Sequence, residues 1–299
     1  LPYEVPVNKA PARPSAPSAG LTVGSVTRQY ARLEPGKVAL RDDDRSLTYA
    51  ELDGQCEALA GALVRLGLQC GEVVCAYLPS SIEYIVVVLA VARAGGIFSP
   101  INPRYKAYEV DAILKQARPR FVFTAGERHA LVQAAIRRLE LEEAVLIDVG
   151  CEAGTDGALS LASLLSQAPC ELPDVSDGDF FSLMFTSGTT GEPKGVLATH
   201  LARMLWVLNA TIQYGLREDD VYLAAMPQVH SAGLTFTLMH LYCGATVRIL
   251  PHFDPEEFVR TAREEGITSA LTVPTMLTMI VEALDRTGSQ GAFTSLRRL

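Results

Sequence analysis

Residues 185–196 read Phe-Thr-Ser-Gly-Thr-Thr-Gly-Glu-Pro-Lys-Gly-Val. Hydroxyl side chains and glycines alternate in this stretch and a lysine follows them: Thr186, Ser187, Gly188, Thr189, Thr190, Gly191 and Lys194. Glycines let a backbone approach a ligand closely, so amides and hydroxyls can surround phosphate oxygens. The lysine adds a mobile positive charge for the same oxygens. The stretch therefore predicts a nucleotide phosphate loop.

The residues on either side of this loop predict regular structure. Asp179-Phe-Phe-Ser-Leu-Met-Phe185 is typical of a buried strand, and the residues after Thr199 have helical spacing. A strand, a glycine-rich loop and a helix, in that order, form many phosphate sites of α/β proteins. The loop is not a Walker loop, because Lys194 is followed by Gly195 and not by Ser or Thr. A kinase or ATPase of the P-loop type is therefore disfavoured.

Composition limits the class of protein. The chain has 299 residues, of which 48% are hydrophobic and 20% charged, as in a soluble globular protein. Its net charge of −8 disfavours a nucleic-acid partner, since such binders are normally basic. None of the six cysteines forms a C-x-x-C pair, which favours reduced thiols and a cytoplasmic protein.

The most apolar run of the sequence, residues 85–92, does not predict a membrane span. Glu83 and Arg93 flank the run, and Gly95 and Gly96 follow it. A bilayer needs about 20 apolar residues in a helix. We therefore expect a buried helix here.

The rest of the chain predicts an α/β fold, doubly wound and largely parallel. Strands alternate with helices from Val73 to Asp148, and the alternation resumes at Phe180. Three segments are expected: a flexible Pro/Ala-rich arm at 1–20, a first α/β lobe at 21–170, and a second lobe at 175–299 that contains the phosphate loop.

Two local patterns predict helices ahead of the first long alternation. Residues 22–33 have helical spacing. Thr48 and Glu51 form a capping box, S/T-x-x-E, ahead of apolar residues that recur every three or four positions. A long helix is therefore expected to begin there.

Three further stretches carry a family resemblance: Leu47-Thr-Tyr-Ala-Glu-Leu52, residues 94–105, and Met226-Pro-Gln-Val-His-Ser-Ala-Gly233. With the phosphate loop, and in this order, they resemble the adenylate-forming superfamily, which includes acyl-CoA synthetases, aryl-acid ligases, luciferases and the adenylation domains of peptide synthetases. The sequences Ser187-Gly188-Thr189 and Asn102-Pro103 favour the acid:CoA ligase branch. A peptide-synthetase adenylation domain stays as an alternative.

The resemblance implies a two-step reaction. A carboxylate attacks the α-phosphorus of ATP to give an acyl-adenylate and pyrophosphate, and the thiol of coenzyme A then displaces AMP. Thr186 to Thr190 and Lys194 would hold the β,γ-phosphates with Mg²⁺, and His230 would lie in the wall of the acyl pocket. The resemblance does not select the carboxylic acid, which could be a fatty, an aryl or a carnitine-like acid. It also leaves a homo-oligomer open as the state of assembly.

The resemblance also implies that this chain is incomplete at its C-terminus. The family's adenine, ribose and hinge elements, and its adenylation lysine, have no counterpart before Leu299. No catalytic residue is therefore assigned, and the isolated chain is not expected to complete acyl-adenylate synthesis. A non-catalytic remnant that acts as a scaffold or regulator is the alternative from another class.

Overall fold

The computed structural model describes residues 20–150, 157–168, 170–186, 193–289, 291 and 293–299. Within them the helices are α1 Arg28–Leu33, α2 Tyr49–Arg65, α3 Ile82–Arg93, α4 Ala107–Ala117, α5 Arg128–Arg138, α6 Leu161–Leu165, α7 His200–Gln213, α8 Ser231–Tyr242, α9 Pro255–Glu264 and α10 Pro274–Thr287. The strands are β1 Val38–Arg41, β2 Ser46–Thr48, β3 Val73–Tyr77, β4 Ile97–Pro100, β5 Phe121–Thr124, β6 Val145–Asp148, β7 Leu159–Ser160, β8 Phe180–Thr186, β9 Lys194–Thr199, β10 Val221–Ala224, β11 Thr246–Ile249 and β12 Ser269–Ala270. This alternation confirms the predicted α/β class.

The larger sheet has seven strands in the order β7-β6-β5-β3-β4-β8-β9. All neighbours are parallel except β8 and β9, which pair antiparallel at one edge. The strands β3 and β5 are fully buried runs, as expected when helices cover both faces of a parallel sheet. One hydrophobic core joins this sheet to α4 and α5 through side chains such as Val122, Ile113 and Val132.

The smaller sheet has five strands in the order β12-β10-β11-β1-β2. Its neighbours are parallel except the hairpin of β1 and β2. A separate core packs α9 and α10 on this sheet, with Phe258, Ile280 and Leu223 among its buried side chains. The two antiparallel hairpins leave both sheets largely parallel.

The compact units of the structure are interleaved along the chain. The first unit comprises the residues up to Ser25, Gln55–Leu78 and Val86–Met204, and it contains the seven-stranded sheet. The second comprises Val26–Gly54, Pro79–Ile85 and Leu205–Leu299, and it contains the five-stranded sheet. β8 pairs with β4, which precedes it by about eighty residues, and the lobe boundary expected near 170–175 stays a prediction. Sequential spacing cannot show such pairing.

The predicted capping box is confirmed at the start of α2. The amide of Thr48 donates to the Glu51 carboxylate at 2.7 Å, and the amide of Glu51 donates to Thr48 Oγ1 at 3.2 Å. The prediction for 22–33 is only partly right, since a 3₁₀ turn at Val23–Ser25 precedes α1. Within this turn the Val23 amide donates outside its own segment, to His200.

In the described part of the chain, no helix is both long and apolar enough to cross a bilayer. The apolar run predicted to form a buried helix lies in α3, whose residues from Tyr84 to Arg93 are all buried.

The carboxylate of Asp220 holds the last described residues against the five-stranded sheet. Its side chain is fully buried and accepts hydrogen bonds from Thr268 Oγ1 at 2.7 Å and from the guanidinium groups of Arg297 and Arg298 at 2.7 and 2.9 Å. The amide of Arg217 donates to its other oxygen at 2.7 Å. Burial opposes ionisation, but these hydrogen bonds and charges outweigh it and hold the pKa of Asp220 below its usual value.

Replacing this carboxylate by an amide is expected to destabilise the protein. Asp220→Asn removes the charge that two arginines face, and we expect a loss of about 3 kcal/mol of unfolding free energy in urea titrations. Asp219→Asn is the matched control, because the Asp219 side chain is 65% exposed and should leave stability nearly unchanged. Equal midpoints for the two variants would contradict this role of Asp220.

Candidate functional site: a hairpin that closes the predicted phosphate loop

The strands β8 and β9 bring the two ends of the predicted phosphate loop together. Thr186 is paired with Lys194, and the ladder continues to Phe180 and Thr199. Thr186 Oγ1 also donates to the carbonyl oxygen of Lys194 at 3.4 Å. Both residues are exposed. The pairing therefore places a hydroxyl and an ammonium group side by side at the two ends of the loop.

The remaining loop residues of the prediction lie outside the described residues: Ser187, Gly188, Thr189, Thr190 and Gly191. Their roles toward phosphate stay predictions. Thr186 and Lys194 are the two predicted phosphate-binding residues that the structure describes.

The predicted order of strand, loop and helix is wrong in one respect. A second strand, β9, lies between the loop and α7, which begins only at His200. Residues 194–199 read Lys-Gly-Val-Leu-Ala-Thr, a short run that extends along β8, and Leu197 packs on the core of the larger sheet. Since α7 begins at the opposite end of β9, its N-terminal dipole does not face the loop. Among the described residues, the Lys194 ammonium supplies the positive charge next to the loop, in place of a helix N-terminus.

A buried histidine, which the sequence analysis left without a function, lies at the base of this hairpin. The Val23 amide donates to His200 Nδ1 at 3.2 Å, and the His200 ring lies 5.5 Å from that of Phe181 in β8. The His200 amide donates to the carbonyl oxygen of Asp179 at 3.0 Å. Burial lowers the pKa of His200 from 6.5 to about 4, against the opposing charges of Asp179 and Asp177. The ring is therefore neutral at pH 7, as its acceptor role requires.

One turn further along α7, a largely buried arginine lies against the same strand. The Arg203 guanidinium is 5.9 Å from the Phe181 ring centroid, and Nη2 lies 3.9 Å from the sulfur of Met184. Its side chain contributes a cation–π contact to the packing of α7 on β8. Burial lowers the pKa of Arg203, which stays charged at neutral pH.

The second predicted element, Met226 to Gly233, forms a turn in the second unit. His230 is the N-cap of α8 with an extended backbone, its amide donates to Pro227 O at 3.1 Å, and its side chain is exposed. A Cβ on Gly233 would lie 2.4 Å from Pro227 O. The turn that presents His230 therefore requires glycine three residues later.

Buried hydrogen bonds from Gln228 fix this turn to the residues that follow Pro79. The Gln228 amide donates to Ser80 Oγ at 3.0 Å, and Gln228 Oε1 accepts from the Ser81 amide at 3.2 Å. Gln228 is fully buried, and the sequence offers as its signal a polar glutamine between Pro227 and Val229. The contact with the acyl group expected for His230 stays a prediction.

A further buried histidine, His240, has a structural environment. His240 stacks on Tyr222 at 4.1 Å, Nε2 lies 2.9 Å from Ser269 Oγ, and Nδ1 lies 2.7 Å from Phe236 O. Burial lowers the pKa of His240 to about 4. It is thus a second neutral imidazole, packed on the five-stranded sheet.

Gly233→Ala is expected to distort the turn at His230. The new methyl group would meet a backbone carbonyl that has no freedom to move aside, so we expect a loss of about 2 kcal/mol in unfolding free energy. Gly36→Ala is the control in the same unit, because nothing lies within 4 Å of a Cβ built there. If urea denaturation finds the two alanine variants equally stable, the turn is not constrained as described.

The neutral histidines His200 and His240 make stability depend on pH. In the unfolded chain each protonates near pH 6.5, whereas in the folded chain each protonates near 4. The stabilisation is therefore complete above about pH 6.5 and is lost as the pH falls toward 4, by up to about 3 kcal/mol for each residue. Urea titrations at about pH 7 and about pH 5 should show a smaller decrease for His200→Asn and for His240→Asn than for the unsubstituted chain. Identical decreases would contradict the assigned burial.

Comparison with known proteins places these features in a family. The family model described as AMP-binding enzyme matches residues 27–299. Indoleacetate–CoA ligase of Aromatoleum aromaticum is 34% identical over 258 residues, which are 85% of this chain and 50% of that protein. The chain thus spans about half the length of the curated relatives it matches.

Solved structures agree with this assignment. A crystal structure of a long-chain-fatty-acid CoA ligase, given as putative, from Rhodopseudomonas palustris has a TM-score of 0.82 at 26% identity, covering 88% of this chain and 65% of that one. ATP-bound MatB from the same organism has a TM-score of 0.80 at 26% identity, covering 92% and 54%. The chain has the fold of the N-terminal part of these enzymes, with two parallel-rich sheets. It belongs to the AMP-binding enzyme family, and its relatives are acyl-CoA ligases.

Proposed function

We propose that this chain supplies the phosphate-binding part of an AMP-forming acid:CoA ligase. The observation that carries the proposal is the β8–β9 hairpin, which pairs Thr186 with Lys194 at the ends of a glycine- and hydroxyl-rich loop. The similarity to MatB with ATP bound supports a nucleotide as the ligand of this hairpin. The similarity to indoleacetate–CoA ligase supports coenzyme A as the acyl acceptor over a carrier protein.

The proposed reaction begins with activation of a carboxylic acid. A carboxylate is unreactive toward thiols because its leaving group would be oxide. Attack by a carboxylate oxygen on the α-phosphorus of ATP breaks the bond to the bridging oxygen and releases pyrophosphate. Negative charge grows on the departing β,γ-phosphates, and the Lys194 ammonium at the end of the loop would neutralise part of it. The Thr186 hydroxyl would turn from the Lys194 carbonyl oxygen and donate a hydrogen bond to the same oxygens.

The second proposed step is thioester formation. The sulfur of coenzyme A attacks the acyl carbon, the bond to the AMP oxygen breaks, and AMP leaves with that oxygen and the electron pair. The exposed His230, held at the start of α8, would orient the carboxyl end of the acid in this proposal. We also propose a cytoplasmic location. The free thiols of the described cysteines support that location.

The described residues fit a Mg²⁺ ion that is held mainly by phosphate. No group of three or more His, Cys, Asp or Glu side chains in the described ranges could hold a metal by itself. Mg²⁺ commonly takes substrate phosphates, waters and only one or two carboxylates as ligands. The chain's own contribution would be Thr186 and Lys194, which would hold the phosphates, and Mg²⁺ would supply further positive charge there.

Replacing Lys194 tests the assigned phosphate site. We expect Lys194→Ala to raise the Kd for MgATP about tenfold, as for the loss of a charge-assisted contact. Isothermal titration of the chain with MgATP measures it. Lys115→Ala is the control, because Lys115 is an exposed lysine near the end of α4. The same Kd for Lys194→Ala as for the unsubstituted chain would refute the role of Lys194, and no saturable binding to the unsubstituted chain would refute the proposed function.

A further inference from the structure

The residues just ahead of α1 are held from two sides in the first unit. The Val23 amide donates to His200 Nδ1 at 3.2 Å, and the carbonyl oxygen of Gly24 accepts from Arg93 Nε at 2.8 Å. All four residues are buried. We call Val23 and Gly24, with these two hydrogen bonds, the N-terminal tie.

One side of the tie is the end of α3. A Cβ on Gly24 would lie 2.8 Å from Arg93 Cγ and 3.1 Å from the Arg93 backbone nitrogen, so only glycine allows this approach. Arg93 Nη1 also donates to the Glu57 carboxylate of α2 at 3.1 Å. A charged group buried in this way keeps its geometry, because breaking either contact would leave a polar group unsatisfied. Gly24 is therefore anchored to two helices of the first unit.

The other side of the tie is the base of the β8–β9 hairpin. His200 follows the last residue of β9 directly, its ring lies against Phe181 of β8, and its amide donates to the Asp179 carbonyl oxygen. A shift of the His200 ring would therefore displace both strands together. The neutral ring, whose pKa burial lowers to about 4, keeps Nδ1 available as an acceptor at neutral pH.

The geometry points to His200 as a positioning residue, which through the N-terminal tie holds the β8–β9 hairpin in the position that binds the triphosphate of ATP. This inference rests on the proposed function of the hairpin. It adds a requirement that the phosphate motif does not contain: a backbone amide from residue 23, which lies 163 positions ahead of Thr186. Positioning groups of this kind act on affinity because the ligand groups they orient must be in place before binding.

Substitution of His200 separates positioning from simple stability. In His200→Asn the amide oxygen can occupy the place of Nδ1 and accept from Val23, whereas His200→Leu offers no acceptor. We expect His200→Leu to raise the Kd for MgATP about fivefold, the net effect of one hydrogen bond, and His200→Asn to restore it to within about twofold. Isothermal titration of the full chain gives the Kd, and the single tryptophan, Trp206 in α7, gives an independent fluorescence reading.

His240→Leu is the matched control, since His240 is an equally buried neutral histidine on the other sheet. It should lose comparable thermal stability and leave the Kd for MgATP unchanged. Equal Kd values for the two leucine variants, or no rescue by His200→Asn, would overturn the inference. An absence of MgATP binding to the unsubstituted chain would instead refute the proposed function itself, and the inference with it.

A second measurement needs no substituted protein. If the tie holds the hairpin for ATP, then MgATP should slow the exchange of the Val23 amide with solvent deuterium in the unsubstituted chain, because binding stabilises the state in which this amide is bonded. Slower exchange in the peptide that covers residues 20–26 supports the inference. Unchanged exchange there at saturating MgATP overturns it, even if His200→Leu does not fold.

Discussion

The antiparallel pairing of β8 with β9 is the interaction on which the predicted phosphate site depends. Among the described strands of the seven-stranded sheet every other pair of neighbours is parallel, so in that sheet the chain returns directly beside itself at this edge. The ladder fixes Thr186 opposite Lys194. It thereby keeps a cation at a defined point without the aid of a helix N-terminus, which lies at the other end of β9.

The Lys194 side chain is exposed, so its position depends on the backbone around it. The hairpin packs on buried side chains, among them His200 and Arg203. His200 is neutral because its surroundings exclude water, and a neutral imidazole can accept a hydrogen bond from a backbone amide. Through Val23, the residues ahead of α1 thus contact the base of a hairpin that lies far away in the sequence.

The second element, at His230, also places an exposed side chain on a confined backbone. An exposed side chain begins α8, and the chain just ahead of it is fixed by the buried side chain of Gln228 and by the close approach of Gly233 to Pro227. Here the side chain predicted to meet substrate is exposed, while the backbone that presents it is confined. The same division between exposed residues of the predicted site and buried supports is present at the hairpin.

The sequence alone determined the family, the α/β class, the capping box of α2 and the position of the phosphate motif, because each depends on residue types at short, fixed spacings. It could not determine that β9 follows the loop, since a six-residue apolar run is compatible with strand or helix until a partner strand is present. Nor could it reveal the contact of Val23 with His200, or the interleaving of the two units. Those features depend on residues more than a hundred positions apart, and only tertiary packing brings such residues together.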